Sequence, residues 1–420
     1  MKYAVIIPDG LGDWPVTELG GKTPLEAAEI PNLHALSKKY ILGTLLTCPE
    51  GMVPGSDVCG LSLMGYDPRS CYTGRAPLEA ANLGLMLGPG ELAFRTNLVN
   101  VENGILTDYS ADHISTEEAA VLIQALQKNL GTKDYSFHPG KMYRHIMIYK
   151  KPFTLSVETD PPHDFQGGPY EKHWPRGKGA EILKDLTLKS CEILENHPVN
   201  LERARQGKKK ANMIWLWGDG KAPQLERFEK KFGARGGVIS AVDLLNGLGR
   251  YLGLEIISVP GATGYFDTDY RAKGEYAIKA LERLDLIFVH IEATDEASHS
   301  GLVKEKVKAI EQIDKHIVGP LVGRIQKEKD WRLFVAPDHY TPVARKTHIG
   351  DPVPFIFAGS DVKKSSGRSY TEKEARTAGV RIEKGYELME RLIQGWKDLD
   401  TPHPNPLPAG EGRVRGVKNS

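Results

Sequence analysis

Three short apolar runs in this sequence each lead to an aspartate, and this pattern constrains the fold more than any other feature. The runs and their aspartates are KYAVIIP with Asp9, LDLIFVHIEA with Asp295, and WRLFVAP with Asp338. Continuous apolar runs of this length are typical of strands buried on both faces of a parallel sheet. Because ligands bind outside the carboxyl ends of such strands, we expect the three aspartates to meet at one edge of a sheet.

Three histidines accompany these aspartates. His299 follows Asp295 by one helical turn, His339 adjoins Asp338, and His348 lies in the loop beyond. Each motif alone is more often a turn or a surface pair, so the prediction rests on their combination. Three carboxylates and three imidazoles are too many for one tetrahedral zinc, and they suit two ions. We predict two divalent metal ions, Mn²⁺ first, with Zn²⁺, Co²⁺ or Mg²⁺ as alternatives.

A candidate nucleophile lies in the segment PGSDVCG, residues 54–60. Ser56 sits between Gly55 and Asp57 in a turn that can start a helix. A serine hydroxyl is a weak nucleophile at its own pKa, and metal coordination can activate it. Backbone N–H groups at a helix start would also bind a phosphate. Gly-Ser-Asp is equally an ordinary helix cap, so this signal is weak without the predicted metal ions.

Helix and strand candidates alternate along the second half of the chain. From residue 180, the strand candidates include ANMIWLWG and LEIISVPG, and residues 302–327 carry one apolar stripe at helical spacing. This alternation is typical of an α/β domain with a mostly parallel sheet between helix layers. The fold class that we predict is therefore α/β.

A different pattern occupies the middle of the sequence. Residues 92–110 alternate apolar and polar around Asn103-Gly104, a strong hairpin signal, and a capped helix and a further strand follow. We predict an inserted α+β domain over residues 90–178. The core would then comprise residues 1–89 and 179–398, and the Pro- and Gly-rich tail, residues 399–420, would be disordered.

Composition excludes several functional classes. The chain has 420 residues and a formal net charge of +1, which gives no reason to expect nucleic acid or a membrane surface as a partner. Its four cysteines form no C-x-x-C pair, and the apolar run at the N-terminus is too short for a signal peptide. These features predict a soluble, cytoplasmic protein that does not span a membrane.

Several longer blocks resemble one family. They are PDGLGD, PGSDVCGLSLMGYDP, YTGRAPLEAANLG, SADHISTEEA, YRHIMI, WLWGDG, VPGATGYFDTDY, HIEATDEASH and APDHYTP followed by THIGDPVPF. In this order they resemble the archaeal-type, cofactor-independent phosphoglycerate mutases of the alkaline phosphatase superfamily, and the match extends from about residue 2 to residue 358. Two positions depart from the family pattern: Thr294 replaces an expected proline, and Asp112 replaces an expected small residue.

The resemblance implies a reaction and a division of the metal ligands. Ser56 would take the phosphate of 3-phosphoglycerate, and the 2-hydroxyl of the reoriented glycerate would take it back, without 2,3-bisphosphoglycerate. This step belongs to glycolysis and gluconeogenesis. One ion would be held by Asp9, Ser56, Asp338 and His339, and the other by Asp295, His299 and His348.

The resemblance also implies substrate-binding residues, because a substrate with a phosphate and a carboxylate calls for arginine. Arg75 and Arg144 match family blocks, His113 is a candidate general acid and base, and Arg235 and Lys273 are weaker candidates. For each of them, a plain surface charge is the alternative interpretation.

Two other functions are compatible with the same residues. A phosphotransferase acting on another small metabolite, such as a homoserine kinase, would use the same metal site and Ser56. A metal-binding protein without catalysis is disfavoured, because Ser56 and every expected ligand are present. A homo-oligomer is compatible with the sequence, which does not specify the number of subunits.

Overall fold

The computed structural model describes residues 1–151 and 155–396. The predicted disordered tail, residues 399–420, lies outside the described residues. The chain divides into two compact units: the first comprises residues 1–65 and the described residues from 258 onward, and the second comprises residues 66–257. Each unit is described separately below. Among the described residues, no helix has the length and hydrophobicity that a membrane span requires.

Strands and helices are numbered here in chain order. The strands are β1 (Lys2–Pro8), β2 (Ile41–Leu45), β3 (Leu92–Glu102), β4 (Ile105–Asp108), β5 (Tyr135–Lys141), β6 (Arg144–Tyr149), β7 (Ser156–Glu158), β8 (Arg176–Lys178), β9 (Met213–Lys221), β10 (Gly236–Ile239), β11 (Glu255–Ile256), β12 (Leu286–Ile291), β13 (Trp331–Val335), β14 (Val353–Gly359) and β15 (Arg381–Ile382). The α-helices are α1 (Pro24–Ala27), α2 (Pro31–Lys39), α3 (Ser56–Leu63), α4 (Pro68–Cys71), α5 (Ala76–Asn82), α6 (Thr116–Leu130), α7 (Ala180–Leu194), α8 (Pro198–Arg205), α9 (Phe228–Phe232), α10 (Asp243–Leu252), α11 (Tyr270–Ala280), α12 (Ala293–Ser300), α13 (Val303–Ile313), α14 (Gly319–Ile325), α15 (Glu372–Thr377) and α16 (Glu387–Gln394).

The first unit contains a mostly parallel sheet with the strand order β12-β1-β13-β14-β2-β15. β1 is parallel to both neighbours, and only β14 runs against the other strands. Pro8 pairs with Ile291 and Ile6 pairs with Val335, so the carboxyl ends of these three strands share one edge. The predicted α/β fold and the convergence of the three strand ends are confirmed.

The apolar stripe predicted over residues 302–327 is helical without a break from Val303 to Ile325, which confirms the predicted helix, and it contains one π-helical turn. α13 ends at Ile313, a π-helical turn covers Asp314–Val318, and α14 follows. Within this turn, the Asp314 carboxylate accepts hydrogen bonds from the backbone N–H groups of Asn32 and Leu33, at 3.1 and 2.7 Å. Asp314 thus caps the first turn of α2.

The second unit contains an antiparallel sheet in which β3 is central. Its order is β4-β3-β6-β5, and β9 pairs antiparallel with β3. The β3–β4 hairpin turns at Asn103 and Gly104, with φ of 49° and 81°, as the predicted hairpin requires. Ser115 caps α6 in a capping box with Glu118, which confirms that prediction.

One strand assignment from the sequence was wrong. β9 was predicted as part of the parallel sheet, but it lies against β3, with Thr96 paired to Leu216. The buried face of β9 packs in the second unit, where Trp215 and Met213 belong to one apolar cluster with Val99 and Leu106. A strand buried on both faces has the same apolar pattern in either kind of sheet, so its partner could not be identified from the pattern.

Candidate metal centre

The first group of possible ligands lies at the ends of β1 and β13. Asp9 follows β1, and Asp338 and His339 lie three and four residues beyond β13; all three side chains are buried. The Nε2 atom of His339 lies 3.4 Å from Asp9 Oδ1 and 3.3 Å from Asp338 Oδ2. One ligand atom from each residue lies within 4.8 Å of the others, which is close enough for a single ion.

These three atoms fit a metal ion because they have no other partner. Among the described residues, Asp9 Oδ1, Asp338 Oδ2 and His339 Nε2 are buried and form no hydrogen bond. Burying such groups unpaired is costly. Burial, together with the charges of Asp338 and Asp295, raises the pKa of Asp9 well above its ordinary value. Burial lowers the pKa of His339 and favours the neutral imidazole, which is the form that binds metals.

The second group consists of Asp295, His299 and His348. Asp295 and His299 lie on α12, one turn apart, and their Oδ2 and Nε2 atoms are separated by 3.2 Å. The Nε2 atoms of His299 and His348 lie only 2.9 Å apart, and His348 Nε2 lies 3.5 Å from Asp295 Oδ1. Burial opposes ionisation of Asp295, but hydrogen bonds from both histidines hold its pKa well below the ordinary value.

Backbone carbonyls orient both histidine rings of the second group. His299 Nδ1 lies 2.9 Å from the carbonyl oxygen of Lys346, and His348 Nδ1 lies 3.2 Å from that of Pro54. In the neutral tautomer that binds a metal ion, each Nδ1 would donate its proton to the carbonyl and each Nε2 would offer its lone pair to the ion. Hydrogen bonds of this kind fix the tautomer of metal-binding histidines. The donor set therefore fits a second divalent ion.

Ser56 is placed beside the first group. It is the first residue of α3, it is half-buried, and its Oγ lies 3.4 Å from Asp9 Oδ2. Because α3 begins at Ser56, the positive end of its helix dipole lies at this residue, where it favours a bound anion. The structure thus brings together every predicted metal ligand and the predicted nucleophile.

A buried chain of charged groups supports Asp9, and the sequence analysis did not identify it. His290 Nε2 lies 3.3 Å from Asp9 Oδ2, and His290 Nδ1 lies 2.9 Å from Glu292 Oε1. Lys273 Nζ then lies 3.1 Å from Glu292 Oε2. The signal was present in the sequence, because His290 and Glu292 interrupt or directly follow an otherwise apolar strand.

Lys273 does not have the exposure that its predicted role requires. Its side chain is fully buried, and its ammonium group binds Glu292 and the carbonyl oxygen of His290. A substrate ligand needs a face open to the substrate, so we reassign Lys273 to the support of the metal centre. The prediction failed because the sequence of α11 alone does not show that this helix packs against β12.

Lys306 is a second buried cation that the sequence analysis did not identify. Its Nζ lies 2.8 Å from Asp13 Oδ2 and also donates to the carbonyl oxygens of Gly10, Gly12 and Thr341, at 3.0, 3.4 and 3.0 Å. It therefore holds the loops that follow Asp9 and His339. A lysine inside the apolar stripe of α13 was the available signal.

Thr294, one of the two departures from the family pattern, also supports the loop. Its hydroxyl donates a hydrogen bond to the carbonyl oxygen of Asp9, and the Thr294 side chain is fully buried. Proline, which the family pattern predicts here, lacks this donor.

The other predicted substrate residues lie in the second unit. Arg144 lines a cavity of about 250 Å³ in this unit, and its buried Nε has no acceptor among the described residues. Arg75 immediately precedes α5 and is half-buried, whereas Arg235 and His113 are exposed. The roles of these four residues in substrate binding and proton transfer stay predictions.

Arg95, which was not predicted, lies on β3 in the same unit. Its Nε binds Glu79 Oε2 at 3.0 Å, and its guanidinium carbon lies 4.0 Å from the centre of the Trp217 ring. Burial lowers the pKa of Arg95, Glu79 opposes this, and the charges of Arg75 and Arg144 add to the lowering. The guanidinium groups of Arg75 and Arg144 are therefore close enough to Arg95 to repel its charge, and such an arrangement favours an anionic ligand.

Comparison with known proteins identifies relatives along nearly the whole chain. A model of the 2,3-bisphosphoglycerate-independent phosphoglycerate mutase family matches residues 38–200. The chain is 47% identical over 398 residues to a probable enzyme of that name from Geobacter sulfurreducens, covering 94% of this chain and 100% of that protein. It is 48% identical over 397 residues to one from Methanothrix thermoacetophila, with the same coverage. The solved structure of the PH0037 protein from Pyrococcus horikoshii has 31% identity and a TM-score of 0.80, covering 93% of this chain and 96% of that one.

Proposed function

Because this chain belongs to the 2,3-bisphosphoglycerate-independent phosphoglycerate mutases, we propose that it interconverts 3-phosphoglycerate and 2-phosphoglycerate through a phosphoserine at Ser56. The observation that carries this mechanism is the position of the Ser56 hydroxyl, 3.4 Å from Asp9, beside two groups of metal-ligand residues. A phosphorylated small molecule is the partner that this reaction requires, and the predicted cytoplasmic location suits it.

The ligands divide as the resemblance implies. Asp9, Asp338 and His339, with Ser56, would hold one divalent ion, and Asp295, His299 and His348 would hold the other. When bound, such ions lower the pKa of a coordinated hydroxyl and neutralise phosphate oxygens. The unpaired atoms of the first group and the facing imidazoles of the second support this division. Mn²⁺ is the ion that we expect first, and metal analysis of the purified protein would identify it.

In the first half-reaction, Ser56 Oγ attacks the phosphorus of 3-phosphoglycerate. The Oγ–P bond forms, the bond from phosphorus to the 3-oxygen breaks, and that oxygen takes up a proton. The N–H groups of the first turn of α3 stabilise the negative charge on the phosphate. Asp9 Oδ2, which lies 3.4 Å from Ser56 Oγ and 3.3 Å from His290 Nε2, takes the proton that the Ser56 hydroxyl loses.

In the second half-reaction, the same bonds are exchanged at the 2-hydroxyl. This hydroxyl loses its proton, its oxygen attacks the phosphoserine, the bond from Ser56 Oγ to phosphorus breaks, and Ser56 Oγ takes its proton back from Asp9. We assign the proton transfers at the glycerate oxygens to His113, which gives a proton in the first half and removes one in the second.

We assign binding of the glycerate carboxylate to Arg75, Arg144 and Arg95. We assign the substrate-holding role to the second unit, which contains the predicted insert of residues 90–178.

An activity assay tests the proposed function. Purified protein is stripped of metal, supplied with Mn²⁺ and 3-phosphoglycerate, and monitored for 2-phosphoglycerate with an enolase-coupled assay in the absence of 2,3-bisphosphoglycerate. We expect turnover that EDTA and Ser56→Ala both abolish. ATP with homoserine is assayed in parallel. Phosphorylation of homoserine without mutase turnover would contradict the proposed substrate while leaving the metal site in place.

A further inference from the structure

Three consecutive residues before α6 have a left-handed backbone. Ala111, Asp112 and His113 have φ of 49°, 59° and 48°. L-amino acids disfavour this region, and asparagine, aspartate and glycine normally visit it as single residues. A run of three is therefore stable only if the surrounding structure holds it. The last residue of this run is His113, the proposed general acid and base.

Asp108 holds the turn from its N-terminal side. Asp108 Oδ1 accepts hydrogen bonds from the backbone N–H of Ser110 at 2.8 Å and from its hydroxyl at 2.7 Å. Asp108 Oδ2 accepts the backbone N–H of Asp112 at 3.2 Å. Ser110 Oγ in turn accepts the backbone N–H of His113, also at 3.2 Å. One carboxylate thus fixes the backbone on both sides of Ala111.

Arg203 holds the turn from α8, ninety-two residues further along the chain. Its guanidinium donates to the carbonyl oxygen of Ala111 at 2.6 Å and to Glu118 Oε2 at 2.7 Å. Its Nε donates to the carbonyl oxygen of Lys209 at 2.9 Å. The Arg203 side chain is buried, with 1% of its surface exposed, so its hydrogen bonds lie inside the protein and not at the surface.

Glu118 connects this clamp to the start of α6. It completes the capping box of α6 by accepting the backbone N–H of Ser115. The left-handed turn therefore lies between two fixed points, the end of β4 and the first turn of α6. His113 remains exposed, and its ring lies 6.4 Å from that of Tyr143.

We propose that Asp108 and Arg203 are positioning residues, which hold the left-handed turn so that His113 is presented to the substrate. Strained backbone of this kind is concentrated at functional sites, where the surrounding structure determines it. The inference rests on the proposed role of His113. Neither Asp108 nor Arg203 touches the reacting atoms; both act through the backbone of residues 110–113.

A rescue experiment tests the positioning role. Arg203→Met removes every hydrogen bond of the guanidinium, and we expect kcat to fall about a hundredfold with KM changed far less, because a displaced catalytic group loses its alignment. Glycine adopts left-handed backbone without a steric penalty. The double variant Arg203→Met/Asp112→Gly should therefore recover at least about tenfold in kcat. Arg205→Met, on the exposed face of the same helix, is the matched control and should retain full activity.

A second variant covers the case in which Arg203→Met does not fold. Asp108→Asn keeps one acceptor for Ser110 but replaces Oδ2, so it removes the hydrogen bond from Asp112. We expect the same loss of kcat, the same rescue by Asp112→Gly, and a displaced ring resonance of His113 in NMR spectra. Rescue distinguishes positioning from a general effect on stability, which thermal unfolding of each variant measures separately.

Two results would overturn the inference. One is wild-type kcat in a folded Arg203→Met or Asp108→Asn variant. The other is a loss that Asp112→Gly fails to reduce, because the side chains would then act on something other than the turn. Failure of the underlying function has a separate signature: His113→Ala with wild-type kcat would refute the role of His113, whatever the effect of Arg203.

Discussion

Glu292→Gln tests the buried chain that supports Asp9. The substitution keeps the shape of the side chain and removes one negative charge between Lys273 and His290. Burial opposes ionisation of Glu292, but Lys273 and His290 hold its pKa well below the ordinary value, so the carboxylate is charged at neutral pH. Lys273 Nζ, fully buried and 3.1 Å away, would lose its ion partner.

The expected magnitude has two parts. Removing one partner of a buried ion pair costs about 3–5 kcal/mol in the free energy of unfolding. Because the folded pKa of Glu292 is depressed, this contribution is complete above the unfolded value of 4.5 and is lost only as the pH falls below it. Removing a hydrogen-bonded support of a metal ligand costs about 10- to 100-fold in metal affinity, or about 1.4–2.8 kcal/mol.

Two assays separate these parts. Urea unfolding near neutral pH in the presence of EDTA measures the stability of the metal-free protein, and calorimetric titration with Mn²⁺ measures the two affinities. We expect Glu292→Gln to weaken one of two binding events and leave the other unchanged. The control is Glu282→Gln, which changes an exposed carboxylate just before β12.

The double variant Lys273→Met/Glu292→Gln should be more stable than Lys273→Met alone, because no unpaired charge remains.

Glu292 would have no supporting role if the free energy of unfolding of Glu292→Gln lay within about 1 kcal/mol of the wild-type value and both ions bound with unchanged affinity. In that case, the chain from Lys273 to Asp9 would be a packing feature without influence on the metal centre.

Three further predictions concern other parts of the molecule. Asp295→Asn should lower the metal content by about one ion of two, measured by elemental analysis, and full occupancy would contradict the assignment of the second group. Burial raises the pKa of Glu372 from 4.5 to about 7, so the stability that the neutral carboxyl group contributes is lost as the pH rises through about 7. Glu372→Gln should therefore raise the free energy of unfolding by up to about 3 kcal/mol at about pH 8.5 and change it little at about pH 5. An equal gain at both pH values in urea unfolding would contradict this. Arg95→Met should raise KM for 3-phosphoglycerate about tenfold or more, whereas the exposed control Arg250→Met should not; equal KM values would exclude Arg95 from substrate binding.

The metal centre could be predicted from sequence because its geometry follows from local patterns. A buried apolar run identifies a strand, the residue after it marks the strand end, and parallel strands bring Asp9, Asp295 and Asp338 to one edge. Ser56 was found because a glycine and an aspartate flank it at a helix start. In each case, the relevant information lies within a few residues of the side chain in question.

The features that were missed depend on contacts between distant segments. β9 has the apolar pattern of a buried strand, but its antiparallel partner β3 lies more than a hundred residues earlier. Lys273 resembles a surface residue of α11 until that helix packs on β12. The left-handed turn ending at His113 is stabilised by Arg203, and only Asp112, a residue type that tolerates positive φ, gave a local indication.

Mass spectrometry of the quenched reaction tests whether Ser56 carries the phosphate during turnover. Wild-type protein with Mn²⁺ is mixed with 3-phosphoglycerate, quenched within one turnover, and digested. We expect one phosphate on the peptide that contains Ser56, and none after EDTA treatment. Mutase turnover with an unmodified Ser56, or with the phosphate on another residue, would contradict it.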